Sequence, residues 1–125
     1  MLTQKTLTKA RGSLLLVVHS MSLLQIPTDP TLDNYSESMT LQGASYTFLF
    51  EWNYRGDYWS LSIYDHADAP IVQGVCIRCN VDMLEFVPTV GKPPGWLYAY
   101  DTAGAGIDPG LTDLGGRVVL LYDEL

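Results

Sequence analysis

ASYTFLFEWNYRGDYWSLSIYD, Ala44 to Asp65, is the stretch that decides the fold. Apolar residues recur at every second position on both sides of its centre, which is the period of a strand. In the first arm Tyr46, Phe48, Phe50 and Trp52 share one face, with Ser45, Thr47, Glu51 and Asn53 opposite beside Leu49. In the second arm Trp59, Leu61 and Ile63 form the apolar face and Tyr58, Ser60, Ser62 and Tyr64 the other. Cross-strand partners lie on the same side of a sheet. A hairpin that buries these rings therefore pairs Trp52 with Trp59, Phe50 with Leu61 and Phe48 with Ile63, and a slip of one residue would bury serines. The turn holds Arg55-Gly56-Asp57, a tripeptide with the letters of a cell-adhesion motif. The register reads it as turn chemistry instead, closed by Asn53 and Tyr58, with Gly56 expected to supply a positive φ and Arg55 left to contact a partner.

The rest of the chain repeats the strand pattern, and no segment carries helix caps with a sustained 3.6-residue period. Strands are expected at Leu23 to Ile26, Ser38 to Gln42, Ser45 to Asn53, Tyr58 to Asp65, Ile71 to Asn80, Trp96 to Asp101 and Arg117 to Tyr122. Short strands punctuated by Gly, Pro and Asp clusters predict an all-β, single-domain antiparallel β-sandwich or small barrel. IVQGVCIRCNVDM reads as one long meander strand with Ile71, Val75, Ile77, Cys79, Val81 and Met83 on one side. RVVLLY is apolar on both faces, as in a covered central strand or, the reading preferred slightly, a strand partly buried in an oligomer contact. Pro93-Pro94-Gly95 forces a turn before Trp96. Asp101 to Gly116 is a long Gly-rich loop, and long loops in small domains usually carry function or stay disordered. Tyr98, Tyr100 and the loop residues Ile107, Asp108 and Leu111, together with Arg55, are the candidate partner contacts. Deleting the loop is expected to block assembly with partners and leave a folded chain.

Charge excludes one class of partner. The 125 residues carry a net −7, and Lys5, Lys9 and Arg11 stand among residues 1–20 without any acid. The remainder sets four basic residues against all 14 acids, a net −10 that would repel a phosphate backbone, so no nucleic-acid groove is expected. No membrane span is expected either: the apolar run Leu14 to Val18 is far too short, and also shorter than the core of a signal peptide. Because Met21 opens MSLLQIPTD, residues 1–20 read as an N-terminal extension upstream of a natural start at Met21, with the β domain at 21–125.

Catalytic and cofactor chemistry find little support. Cys76 and Cys79 form a single C-x-x-C without a second pair of ligands, and in a strand their sulfurs would point to opposite faces, so two unpaired thiols are expected with Cys79 inward. Gly104, Gly106 and Gly110 lack the spacing of a phosphate-binding loop, and Asp108 would repel an anion. Asp65, His66 and Asp68 fall in a turn, and no other histidine of the body completes a metal set. There is no nucleophile elbow, and no pair of carboxylates stands out for glycoside hydrolysis. No catalytic, cofactor or metal residue is assigned, and a small hydrolase ranks third. A carbohydrate- or protein-binding β-sandwich is the runner-up, since Tyr and Trp rings suit sugar faces.

Three segments taken together carry a family likeness. LQGASYTFLFEWNYRGDYW, then PPGWLYAYD, then DLGGRVVLLY resemble, in order and spacing, the small baseplate plug proteins of contractile-tailed bacteriophages first described for a cyanophage. The shared positions are Leu41, Gly43, Tyr46, Trp52, Asn53, Arg55 and Trp59, then Pro93 to Gly95 and Leu97, then Leu114, Gly115, Arg117, Val118 and Leu120 to Tyr122. The likeness spans about residues 21 to 125. It implies a non-enzymatic virion component, made in the host cytoplasm and placed in the central baseplate against hub and tube-initiating proteins, in a homo-oligomeric ring. It carries over no catalytic residue.

Overall fold

The computed structural model describes residues 23–88 and 90–124. The expectations for residues 1–20 lie outside the described residues. The described chain forms seven strands: β1 Leu23–Ile26, β2 Asn34–Leu41, β3 Ala44–Asn53, β4 Tyr58–Asp65, β5 Pro70–Cys76, β6 Trp96–Asp101 and β7 Val118–Asp123. They make two antiparallel sheets, ordered β1-β7-β6 and β2-β3-β4-β5, with no closed barrel. The all-β sandwich expectation is met.

The hairpin register is the expected one, with Trp52 opposite Trp59, Phe50 opposite Leu61 and Phe48 opposite Ile63. Phe48, Phe50, Trp59, Leu61 and Ile63 are fully buried, and burial of each such side chain contributes about 1.5–3 kcal/mol. Trp52 remains half-buried at the hairpin end, its ring edge-on to Trp59 at 5.7 Å. Leu24 and Ile26 of β1, Leu97 and Ala99 of β6 and Val118, Leu120 and Tyr122 of β7 close the core. The Tyr122 hydroxyl accepts from the Gly95 amide at 2.6 Å and donates to Gln42 Oε1 at 2.7 Å, which ties the PPG turn to the other sheet. Burial pushes this phenol up to about 12.

The structure corrects the turn at Arg55-Gly56-Asp57. The positive φ belongs to Asp57 (56°), not Gly56. Asn53 organises the loop: its Oδ1 accepts from the Arg55 and Gly56 amides, both at 2.9 Å, and its carbonyl accepts from Asp57 at 2.8 Å. Gly56 is needed for space, because a Cβ there would sit 2.6 Å from Tyr58 Cε1.

The run from Ile71 is also corrected. β5 ends at Cys76, not Asn80, and Gly74 at φ 70° bends it, so that Leu61 faces Val75 while Ile63 faces Val72. Beyond β5 the chain crosses to the edge of β6. There the Asn80 and Met83 amides donate to the carbonyls of Ala99 and Leu97. Ile77, Cys79 and Met83 are buried as expected, but Val81 is exposed because Asn80 turns at φ 63°. Both thiols are unpaired and Cys79 is the buried one. Its Sγ lies 3.4 Å from the Ile107 carbonyl, and burial with Asp108 and Asp101 nearby pushes the thiol up.

β2 begins at Asn34, four residues earlier than expected, because Tyr35 and Glu37 continue its inward row. β7 is the central strand of its sheet. Val118, Leu120 and Tyr122 are buried on its inner face and Val119 and Leu121 half-buried on the outer one.

Candidate functional site

The Gly-rich loop is ordered by one guanidinium. Arg117 donates to the Ile107 and Asp108 carbonyls at 3.0 and 3.2 Å and pairs with Asp101 Oδ2 at 2.9 Å and Asp113 Oδ2 at 3.1 Å. Asp101 is enclosed and also accepts from the Ala103 and Ile107 amides. Those amide bonds, with Arg117 adding to them, hold its carboxyl below the usual carboxylate range. Asp113 is lowered likewise by the Gly110 amide and then Arg117. The loop joins the core through Leu114 and Pro109, both buried, and through the Trp59 indole N–H, which donates to the Gly110 carbonyl at 3.0 Å. Asp108 is exposed, yet its Oδ1 accepts from the Cys79 amide at 2.9 Å. Ile107 is left 60% exposed.

The other four expected contact residues fall into two groups. Leu111 comes to the hairpin end of the molecule, where a shallow cavity of about 350 Å³ is lined by Pro30 to Asp33, Tyr54, Leu111 and Thr112. The Tyr54 hydroxyl donates to Asp33 Oδ2 at 2.6 Å, which fixes the turn carrying exposed Arg55 against this cavity. Tyr98 and Tyr100 lie elsewhere, on the outer face of the three-stranded sheet. Its rows read Leu23, Asp123, Trp96, then Gln25, Leu121, Tyr98, then Val119, Tyr100. Leu23, Trp96 and Tyr100 stand exposed there.

A larger open cavity of about 630 Å³ adjoins that face and is lined by Asn80, Asp82, Glu85, Trp96, Tyr98 and Asp123. Asp82 is held in place, because its Oδ1 accepts from the Leu84 and Leu97 amides, each at 3.1 Å. None of the three carboxylates is ion-paired among the described residues. Phe86, next to Glu85, is 92% exposed. Trp96 and Phe86 are the residues that reading the sequence missed. For Trp96 the signal was present, since a period of two sets it on the face of Tyr98 and Tyr100.

The Asp65-His66-Asp68 segment is a turn: Asp65 Oδ1 accepts from the Ala67 and Ala69 amides, both at 2.9 Å. What the molecule presents is a rigid sandwich with fixed loops and exposed apolar side chains, the attributes of a structural packing module. The sequence matches the cyanophage baseplate Pam3 plug gp18 family over residues 23–125, and the chain belongs to that family. It is a structural component of the phage tail baseplate in the virion, and not an enzyme. No curated protein matches it in sequence.

Proposed function

We propose that the chain packs against the central hub and tube-initiating proteins of the baseplate, with its copies arranged as a homo-oligomeric ring. The hairpin end, with Arg55 and Leu111, and the neighbouring loop residues Ile107 and Asp108 form one contact surface; Tyr98 and Tyr100 belong to a second. The observation that carries this reading is the exposure of Ile107 on a loop held rigid by Asp101, Arg117 and Asp113. An apolar group fixed outward loses little entropy when a partner covers it.

Removing the whole loop is a poor test, because Pro109, Leu114 and the bond to Trp59 would go with it. Ile107→Asp and Leu111→Asp leave Pro109, Leu114 and the Trp59 bond in place. Baseplate particles built with either variant should incorporate the chain on the order of ten-fold less, while the purified variants unfold at the wild-type temperature. Wild-type incorporation of both would refute this surface.

A further inference from the structure

The outer face of the three-stranded sheet has a chemical polarity that names its occupant. Leu23, Leu121, Val119 and Tyr100 form an apolar field, and at its Trp96 end the surface drops into the cavity walled by Asp82, Glu85 and Asp123. Three unpaired carboxylates around an exposed indole and a phenol favour a cation over any neutral guest. We propose that this cavity receives an arginine side chain of a neighbouring baseplate protein, whose flanking apolar residues cover the sheet face; the inference rests on the packing role proposed above.

The fit is specific to a guanidinium. Its plane stacks on the Trp96 ring, 59% exposed, and its fork of donors meets carboxylates at the rim. Asp82 is pre-set for this by the two amides that hold Oδ1, so one wall of the cavity is already ordered. Among the described residues, no cation lines the cavity. Lys92 donates to the Leu84 carbonyl at 2.7 Å and Arg117 is committed to the loop. Phe86 follows Glu85 in the chain and is exposed, which makes it an apolar anchor for the partner that carries the arginine. A glycan would find hydrogen-bonding groups here as well, but it would leave the three charges uncompensated.

The test is made in assembled baseplates, with a photoreactive benzophenone side chain in place of Phe86 and, separately, of Ile107. The expected result is a cross-link from position 86 to a peptide of another baseplate protein that contains an arginine. Cross-links from 107 with none from 86, or from 86 only to peptides lacking arginine or to residues 1–22 of the same chain, overturn the inference and leave the packing role standing. Silence at both positions overturns both. Glu85→Gln and Asp123→Asn retain the oxygens a sugar would bond and remove the charge an arginine requires. The double variant should enter particles on the order of ten-fold less efficiently, as should Trp96→Ala. Incorporation of the double variant at the wild-type level counts against the arginine.

Discussion

Glu37 makes stability depend on pH in a direction opposite to most carboxylates. It sits on the inward row of β2, opposite Phe48, with Oε1 enclosed and lacking a hydrogen-bond partner among the described residues. Desolvation, with Asp29 adding negative charge, pushes it from 4.5 up to about 7. The raised value means that the fold prefers the neutral acid. Its stabilising contribution is complete below about 4.5 and is lost as pH rises through about 7. A fully enclosed group displaced that far would contribute roughly 3 kcal/mol, at about 1.4 kcal/mol per tenfold. Glu37 is half-buried, and solvent screening reduces the figure to roughly 1 kcal/mol. Thermal unfolding from about pH 5 to about pH 9 should therefore show the wild type losing about 4 °C, nearly all of it by about pH 7. Glu37→Gln, which stays neutral, should lack that loss and be the more stable form at the alkaline end. Comparison with the variant cancels His66 and every other group common to both. Wild-type stability that is flat between about pH 5 and about pH 7, or an unchanged slope in Glu37→Gln over that range, refutes the reasoning.

Gly95→Ala should cost about 3 kcal/mol or prevent folding, measured by urea unfolding, because its Cβ would collide with the Asp123 carbonyl and lie 2.7 Å from Tyr122 Cζ. Arg117→Met should free the Gly-rich loop and leave the sandwich folded: amide exchange at Ile107 and Gly110 should accelerate on the order of ten-fold while the β3 and β4 amides stay protected. The lowered Asp101 and Asp113 act in the acid range, contributing stability above their unfolded value of 3.8 that is lost as pH falls through their folded values. Thiol titration should find two free thiols after denaturation, and in the native protein Cys76 should react well before buried Cys79.

What could be read in the sequence follows from how local the determinants are. The β3–β4 register was legible because alternation and turn length both fix it within 22 residues of chain, Ala44 to Asp65. The start of β2 was hidden by Glu37, an acid in an apolar row. The end of β5 was hidden for the opposite reason: Cys79 and Met83 keep the alternation of Ile77 although, past the Ile77 amide bond to Trp59, the chain has left that sheet to run beside β6. Periodicity reports burial and not the partner strand. The Gly-rich loop was recognised as a surface, but its order depends on Arg117 meeting Asp101, a contact set by the fold and not by spacing. The acidic cavity gathers Asn80, Asp82 and Glu85 from one segment, Trp96 and Tyr98 from β6 and Asp123 from β7, and no sequence window holds all three segments.

The order of the three-stranded sheet has a consequence for synthesis. β7 follows the six other strands in the chain, yet it lies between β1 and β6. β1, made first, has no strand to pair with until β7 has left the ribosome. Pairings between such distant segments form late, since closing the intervening chain costs entropy. A copy interrupted before Val118 would leave Leu24, Ile26 and the inner rings of β3 and β4 uncovered. Such a copy would also leave β6, which carries Trp96, without its partner strand, so the sheet that bears the outer face exists only once the last strand has been made.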